Sequence, residues 1–329
     1  MSAVIRGIAQ LVVRRAGGPE VGSSSLPTPT KNEGRRSRVR FSPLRPRIFF
    51  RFAEWKRSQK VRQSMQKSLA SGKFWKKFHS GRRNFKKEPD NKFLIFLKEC
   101  VYFSYTQYEL FYKILPRFLN KNQSVLEIGS APGNNLVLIH KLFGSKVFGV
   151  ENNPAGLKQN KKNFEVNGID QDNILKRNFF NFKTNKKFDV IFSAGFVEHF
   201  PHPEKVIKKQ SRLLKRGGLI VCTIPNFSSI NYLIQKKLNS EILSAHNLDI
   251  MHLKTFRKLF VNFDELYSGY YGIFSFRMFQ TNQPLYSITF NFFKPLRLFF
   301  NLLGILLSTV IKTRNIVFSP FLIFIGVKK

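Results

Sequence analysis

A glycine turn between an apolar run and a helix-forming segment constrains the fold of this 329-residue chain more than any other feature. Residues 125–135 read VLEIGSAPGNN, which predicts a strand over 124–128, a turn, and a helix from about Asn134. Gly129 and Gly133 bracket the turn, and because glycine has no Cβ, the backbone can bend sharply there and lie against a ligand. Amides at the start of the next helix would face that ligand and favour a carboxylate or phosphate.

The second apolar run ends in an acidic residue. Residues 146–151 read KVFGVE, and Glu151 follows Gly133 by eighteen residues. An acid at the tip of a second strand can accept hydrogen bonds from ribose hydroxyls, so the turn and the acid together predict a nucleoside-containing cofactor. The turn reads E-x-G-x-x-x-G, which lacks the G-x-G-x-x-G of dinucleotide sites and the lysine of phosphate-binding loops. We therefore expect no dedicated pyrophosphate site.

Strands and helices alternate through the next hundred residues, which indicates βαβ crossovers and a parallel sheet. Strands are predicted near 124–128, 146–151, 173–177, 188–193 and 218–224. A closing antiparallel pair is predicted at 268–280 and 319–328. The predicted fold class is therefore α/β, with a Rossmann-like, seven-stranded, mostly parallel sheet, a C-terminal antiparallel strand pair and helices on both faces.

An amphipathic helix is predicted within 203–216, directly before the fifth strand. Its apolar face would carry Val206, Ile207, Leu213 and Leu214, with lysines mostly opposite. Gly217 would end this helix as its C-cap.

These motifs, in this order, resemble class I S-adenosylmethionine-dependent methyltransferases. The matching runs are VLEIGSAPGNN, the FDVIF strand with its following VEH, the LLKRGG segment, and IPN. The resemblance covers roughly 92–329 and is strongest over 124–226. It is greatest to the small-molecule and lipid-linked-substrate branch, which includes ubiquinone-type and surface-polysaccharide enzymes. The resemblance implies S-adenosylmethionine as the cofactor.

The resemblance also implies a set of cofactor contacts. They are Glu127, Gly129, Ser130, Gly133, Glu151, Asn152, Asn178 and Ser193. Asn178 stands where the family commonly has an aspartate, and its amide oxygen can accept the same hydrogen bond from an adenine amino group. The six histidines and two cysteines show no metal-ligand spacing, so no metal site is predicted.

The loop after the fourth strand holds the candidates for chemistry. His199 is the first choice, as a general base or acceptor-orienting group, with Glu198 beside it and His202 as a further candidate. The alternative is that Glu198 and His199 cap the helix and pack the loop. His246 and His252 are predicted to line the acceptor pocket.

The chain carries a formal net charge of +37, which predicts an anionic partner, either nucleic acid or an anionic membrane surface. Residues 1–62 hold 12 Arg and only 3 Lys. Disorder is predicted for 17–47, which is rich in Gly, Pro, Ser and Arg. Three interpretations of this extension stay open: a basic tail, a targeting presequence in 1–18, or a segment upstream of a start at Met65. The break in composition favours the third.

Three domains follow: the extension 1–62, a basic aromatic-bearing linker 63–91, and a methyltransferase domain 92–329. In the linker, Phe74, Trp75 and Phe78 either pack on the domain or anchor it to an interface. Residues 92–120 are predicted to be helical and to cover the cofactor mouth. An apolar helical insertion is predicted at about 289–314. Its apolar stretch of about fourteen residues is shorter than the roughly twenty that span a membrane, so it is an interfacial helix or a core or dimer helix.

The leading hypothesis is a methyltransferase for a lipid-linked or cell-surface carbohydrate, or a related lipid or small molecule. We expect it in the cytoplasm, in peripheral contact with the inner face of a membrane; Cys100 and Cys222, in apolar runs, are expected to be reduced. One alternative is an RNA methyltransferase, although the loop SAGFVEH lacks the [DN]-P-P-[YF] run of adenine methylation. The other is a non-catalytic, membrane-associated protein with a cofactor-binding fold.

Overall fold

The computed structural model describes residues 68–79, 85–91, 94, 105–274, 279 and 314–329. The extension 1–62, Cys100 and the apolar insertion up to residue 313 lie outside the described residues. Within the described part of the chain, no helix has both the length and the apolar character needed to cross a bilayer.

A single sheet organises the described residues. Its strands are β1 Ser124–Ile128, β2 Lys146–Glu151, β3 Ile174–Lys176, β4 Phe188–Ala194, β5 Leu214–Pro225, β6 Phe263–Tyr271 and β7 Phe321–Lys328. They lie in the order β3-β2-β1-β4-β5-β7-β6. The first five pair in parallel, while β7 runs antiparallel to both β5 and β6. The predicted seven-stranded, mostly parallel sheet is confirmed.

The last strand pair begins earlier than expected. Strand β6 starts at Phe263, five residues before the predicted 268, and ends at Tyr271. It lies at the edge of the sheet, and between its two buried ends its side chains are exposed or half-buried. A strand with so little buried surface lacks the apolar alternation by which strands are recognised.

Helices connect the strands. They are α1 Gly72–Phe78, α2 Tyr105–Tyr108, α3 Asn134–Phe143, α4 Pro154–Val166, α5 Pro203–Ser211, α6 Ser229–Leu238, α7 Ser240–Ser244 and α8 Leu253–Arg257. Helix α2 continues as a π-helical turn, Glu109–Ile114, and a 3₁₀ turn, Leu115–Arg117. A 3₁₀ turn, Val197–His199, follows β4.

Two apolar cores lie on the two faces of the sheet. Alternate residues of β5 enter different cores: Val221 packs with Leu136 of α3, whereas Cys222 packs with Val206 of α5. Because successive side chains of a strand point to opposite faces, helices must cover both. This confirms the predicted layering. Cys222 is free and fully buried.

Helix α5 ends sooner than predicted. It stops at Ser211, and Leu214 already pairs with Phe188 of β4. The amide of Phe188 also donates to the carbonyl of Leu213, so pairing with β4 draws these leucines out of the helix. Gly217 is therefore not a helix C-cap. It lies within β5 at φ +68°, where the register between β4 and β5 shifts.

The segment before β1 packs on the sheet. Leu110, Phe111 and Ile114 are buried in the same core as α3. Glu109 accepts a hydrogen bond from the amide of Gly272 at 2.7 Å and an ion-pair contact from Arg314 Nε at 2.9 Å. This half-buried carboxylate therefore fastens the residues leading into β7 and those following β6 to α2.

We predict that Glu109→Ala lowers the free energy of unfolding by about 2–4 kcal/mol, because it removes a carboxylate that contacts a largely buried arginine and the amide of Gly272. Urea denaturation would measure the change. Glu241→Ala, at an exposed site on α7, is the matched control and should change stability by less than about 0.5 kcal/mol. Equal effects of the two variants would contradict a structural role for the Glu109–Arg314 pair.

Candidate functional site

A cavity of about 600 Å³ lies at the carboxyl ends of the parallel strands. Its wall includes Gly129 after β1, Glu151 at the end of β2, Gly195 after β4 and Pro225 at the end of β5. Parallel α/β sheets bind their ligands in this position, and the volume suits a small-molecule cofactor with part of a second ligand.

The glycine turn closes tightly against its neighbours. Gly129 and Gly133 have φ of +71° and +94°, which side chains rarely adopt. A Cβ on Gly129 would lie 2.7 Å from a ring carbon of Phe196, and a Cβ on Gly133 would collide with the side chain of Asn160. Both positions therefore require glycine. Gly133 is the N-cap of α3, as predicted, but lies outside the cavity wall.

Two asparagine side chains of α4 donate hydrogen bonds to the glycine turn and hold it in place. The side-chain amide of Asn160 donates to Ser130 Oγ at 2.6 Å, and that of Asn163 donates to the carbonyl of Pro132 at 3.1 Å. Asn163 also donates to Asn134 Oδ1 at 2.8 Å. Ser130 is buried, and its hydroxyl is bonded to α4 instead of lining the cavity. This hydrogen bond helps to shape the turn, and the cofactor contact of Ser130 stays a prediction.

Glu151 lines the cavity at the end of β2. One carboxylate oxygen accepts the amide of Asn153 at 2.7 Å and the other accepts the amide of Ala131 at 3.3 Å. Burial raises the pKa of Glu151, and these amide hydrogen bonds oppose the rise. The amide of Asn152 also interacts with this carboxylate. The carboxylate is thus held in place by amides, and its remaining acceptor capacity faces the cavity.

Glu127 is buried within β1. One oxygen accepts the side-chain amide of Asn135 at 2.8 Å, while the other has no hydrogen-bond partner among the described residues. Burial raises the pKa of Glu127 to about 8. It lies outside the cavity wall, two residues before Gly129. A buried, unpartnered carboxyl oxygen beside a glycine turn fits a ligand that brings a positively charged amino group to the turn, because that charge would favour the ionised form.

The other predicted cofactor residues divide into two groups. Asn152 and Asn178 line the cavity. Asn178 Oδ1 accepts the amide of Phe180 at 2.9 Å, which leaves one lone pair for a ligand. Ser193 is fully buried outside the wall and accepts a hydrogen bond from Gln210 at 3.1 Å, so it joins β4 to α5. Arg177, which sequence analysis did not select, also lines the cavity.

His199 and Glu198 enter the cavity wall from the 3₁₀ turn after β4. His199 Nδ1 lies 2.7 Å from the carbonyl of Ala245. Burial, and then the neighbouring His246, lower the pKa of His199 to about 3. The ring is therefore neutral at pH 7, and the short contact with Ala245 favours the tautomer in which Nδ1–H donates to that carbonyl. Burial raises the pKa of Glu198 to about 8, so its carboxyl group holds a proton at neutral pH.

The fold adds His246 to this pair. Its ring centroid lies 4.5 Å from that of His199, and it also lines the cavity. Within the described residues, Glu198, His199 and His246 could together hold a metal ion, since their ligand atoms all lie within 4.8 Å of one another. The spacing of histidines along the chain did not show this group because β5 and α6 intervene. His202 and His252 lie outside the cavity wall.

Helix α1 closes the acceptor side of the cavity. Trp75 meets the ring of His199 edge-on at 4.7 Å, and the amide of Leu69 donates to the carbonyl of His199 at 2.7 Å. Phe74 and Phe227 contribute further rings to the wall. The expectation that 92–120 would cover the mouth is wrong for its described part, because 105–120 contributes nothing to this wall.

Comparisons with known proteins agree with this geometry. Residues 119–262 match the model of a family described as "Methyltransferase domain". A 125-residue stretch is 27% identical to the ribosomal protein L11 methyltransferase of Thermosipho africanus, covering 36% of this chain and 46% of that protein. A 123-residue stretch is 25% identical to the mitochondrial ubiquinone biosynthesis O-methyltransferase of Dictyostelium discoideum, covering 33% and 37%. The chain spans less than half the length of either relative.

One solved structure is similar to this chain at low sequence identity. It is a SAM-dependent methyltransferase from Archaeoglobus fulgidus, 19% identical, with a TM-score of 0.44 over 72% of this chain and 100% of that one.

We predict that Glu198→Gln stabilises the protein more at pH 8 than at pH 5. The pKa of Glu198 is about 8 when folded and near its usual 4.5 when unfolded, so unfolding releases a proton between these values. Stability therefore falls as pH rises from 4.5 to 8, and glutamine removes this contribution, by roughly 1–3 kcal/mol at pH 8. Thermal denaturation at both pH values would measure it. Glu241→Gln, at an exposed site, is the control. A pH-independent difference would show that Glu198 is ionised in the folded protein.

Proposed function

Since the chain belongs, over residues 119–262, to the class I S-adenosylmethionine-dependent methyltransferases, we propose that it methylates a lipid-linked or cell-surface carbohydrate, or a related lipid or small molecule. One observation carries the proposal. A single cavity has a cofactor half, with the glycine turn and Glu151, and an acceptor half, with His199 among aromatic rings. A donor and an acceptor could therefore meet in one enclosed space.

The cofactor half fits S-adenosylmethionine. Glu151 would accept hydrogen bonds from the ribose hydroxyls, and Asn178 would accept one from the adenine amino group. Glu127, with its unpartnered buried oxygen, would take the amino group of the methionine end, directly or through the turn. Gly129 and Asn152 complete this wall. When bound, the cofactor supplies a methyl group on a positively charged sulfur, which is already activated for transfer.

The acceptor half of the cavity would position the second substrate and exclude water from it. Because the donor is activated, the protein mainly has to orient the acceptor and exclude water. Neutral His199 can accept a hydrogen bond from an acceptor hydroxyl at Nε2, since Nδ1 is bonded to Ala245. The low pKa of His199 makes it a weak base, which favours an orienting role over full proton abstraction.

The aromatic side chains of the cavity wall indicate which class of acceptor would fit. Trp75, Phe74 and Phe227 present ring surfaces beside His199. Flat apolar surfaces of this kind pack on the C–H faces of sugars or on lipid groups, while the polar edge groups fix orientation. With the net charge of +37, they support an acceptor that is reached at an anionic membrane surface. We propose that the protein acts in the cytoplasm, peripherally on the inner face of a membrane.

Transfer of labelled methyl from S-adenosylmethionine into a fractionated cell lysate tests the proposal. We expect label in the glycolipid or polysaccharide fraction, and none with the Gly129→Arg variant. In that variant an arginine would occupy a position with φ of +71° whose Cβ meets Phe196. Label in RNA would instead mean that the basic charge reflects a nucleic-acid substrate, and label in protein would also contradict the proposed acceptor.

We further predict that Glu151→Ala weakens binding of S-adenosylmethionine by roughly 1–3 kcal/mol, about 5- to 150-fold, because charge-assisted hydrogen bonds to the ribose are lost. Isothermal titration would measure the affinity. Glu165→Ala, at an exposed position on α4, is the matched control and should bind like the parent protein. An unchanged affinity for Glu151→Ala would remove this residue from the cofactor site.

A further inference from the structure

Large apolar side chains are exposed on segments that border the cavity. Leu233 is 65% exposed, Phe318 52%, Leu69 41% and Phe78 39%. With Ile230 and Val317, both 36% exposed, they form what we call the apolar rim. All six lie on segments that also line the cavity or adjoin its wall: 68–79, helix α6, which begins just after Phe227, and the residues before Phe321. Phe78 itself lines the cavity, so the rim adjoins the cavity wall.

Helix α6 buries polar side chains and exposes apolar ones. Its polar residues Asn231 and Gln235 are fully buried, while Ile230 and Leu233 face outward. A helix on the surface of a globular protein normally does the reverse. Single exposed apolar residues are common, but a helix that buries amides and exposes aliphatic side chains indicates a ligand surface.

Polar contacts hold α6 beside the residues that lead into β7. Asn231 Nδ2 donates to the carbonyl of Ser319 at 3.3 Å, and Asn226 Nδ2 donates to the carbonyls of Ser319 at 2.7 Å and Ile316 at 2.9 Å. These bonds bring Leu233 and Phe318 onto neighbouring segments. The apolar side chains of both segments remain outside.

The segments that form the rim contain basic but no acidic residues. Residues 68–79, 225–240 and 314–321 contain no aspartate or glutamate. Exposed lysines flank the apolar side chains: Lys73, Lys76 and Lys77 on α1, and Lys236 and Lys237 on α6. Apolar side chains bordered by lysines match the boundary between the acyl chains and the anionic headgroups of a bilayer. A nucleic acid would use the lysines but would leave the aliphatic side chains without a partner.

We propose that the apolar rim docks on the interface of an anionic lipid bilayer, with Ile230, Leu233, Val317 and Phe318 entering the acyl boundary and the flanking lysines contacting headgroups. The cavity then opens toward the lipid. The inference deepens the proposed function and rests on it, because a lipid-linked acceptor would reach the cavity without leaving the membrane.

Co-sedimentation with lipid vesicles tests the proposal. The full chain would be mixed with vesicles of phosphatidylcholine alone, and with vesicles in which roughly a third of the lipid is phosphatidylglycerol. We expect binding to the anionic vesicles that falls at high salt. Leu233→Asp with Phe318→Asp should weaken this binding about tenfold or more, and Lys236→Glu with Lys237→Glu should do the same.

Residues at the opposite ends of the strands, away from the rim, provide matched controls. Val261, 70% exposed just before β6, is the apolar control as Val261→Asp. Lys121 and Lys146, exposed at the amino ends of β1 and β2, are the charge controls as Lys121→Glu with Lys146→Glu. Both should bind vesicles within about twofold of the parent protein. Cofactor affinity, measured for every variant, would confirm that each has folded.

Several results would overturn the proposal. They are equal loss in the rim and control variants, undiminished vesicle binding by the rim variants, and a rim substitution that changes only the oligomeric state in gel filtration. The last would make the rim a contact between copies of the chain. Vesicle binding requires neither cofactor nor turnover. A failure of methyl transfer with intact vesicle binding would therefore count against the proposed function alone.

Discussion

The bonding of the glycine turn to α4 is the constraint on which the site depends. Asn160 and Asn163 donate side-chain hydrogen bonds into the turn, and Gly133 leaves no room for a Cβ beside Asn160. Helix α4 begins at Pro154, three residues after Glu151, so the same contact brings the turn and that carboxylate together. Ala131 of the turn completes the link by donating its amide to Glu151. The cofactor half of the cavity is thus one hydrogen-bonded unit.

The acceptor half of the cavity contains buried polar groups that lower the stability of the folded protein. The carboxyl group of Glu198 is fully buried without a hydrogen-bond partner among the described residues, and burial holds the pKa of His199 near 3. Neither group improves packing over an apolar residue of similar size. Buried polar groups left partly unsatisfied are expected where a ligand completes them, because a stability-optimised core would exclude them.

Local patterns were enough to predict the sheet and the cofactor turn, because a buried strand and its glycine turn are encoded in consecutive residues. The predictions of element boundaries were wrong where residues distant in the chain determine the structure. Pairing with Phe188 took Leu214 out of α5, and the polar edge position of β6 concealed its first residues. Similarly, the resemblance implied a cofactor contact for Ser193 but could not show that Gln210 of α5 donates a hydrogen bond to its hydroxyl. The meeting of His199 with His246 depends on the same long-range packing.

Helix α6 shows why periodicity alone can mislead about which face is buried. The same 3.6-residue repeat that puts Ile230 and Leu233 on one side puts Asn231 and Gln235 on another, and the usual assumption buries the aliphatic side. Here the loop before β7 presents backbone carbonyls to the helix, and carbonyls need donors when they are buried. Asn226 and Asn231 supply those donors at Ser319, so the amide side must face inward. The backbone of a neighbouring loop, rather than the hydrophobic effect, orients this helix.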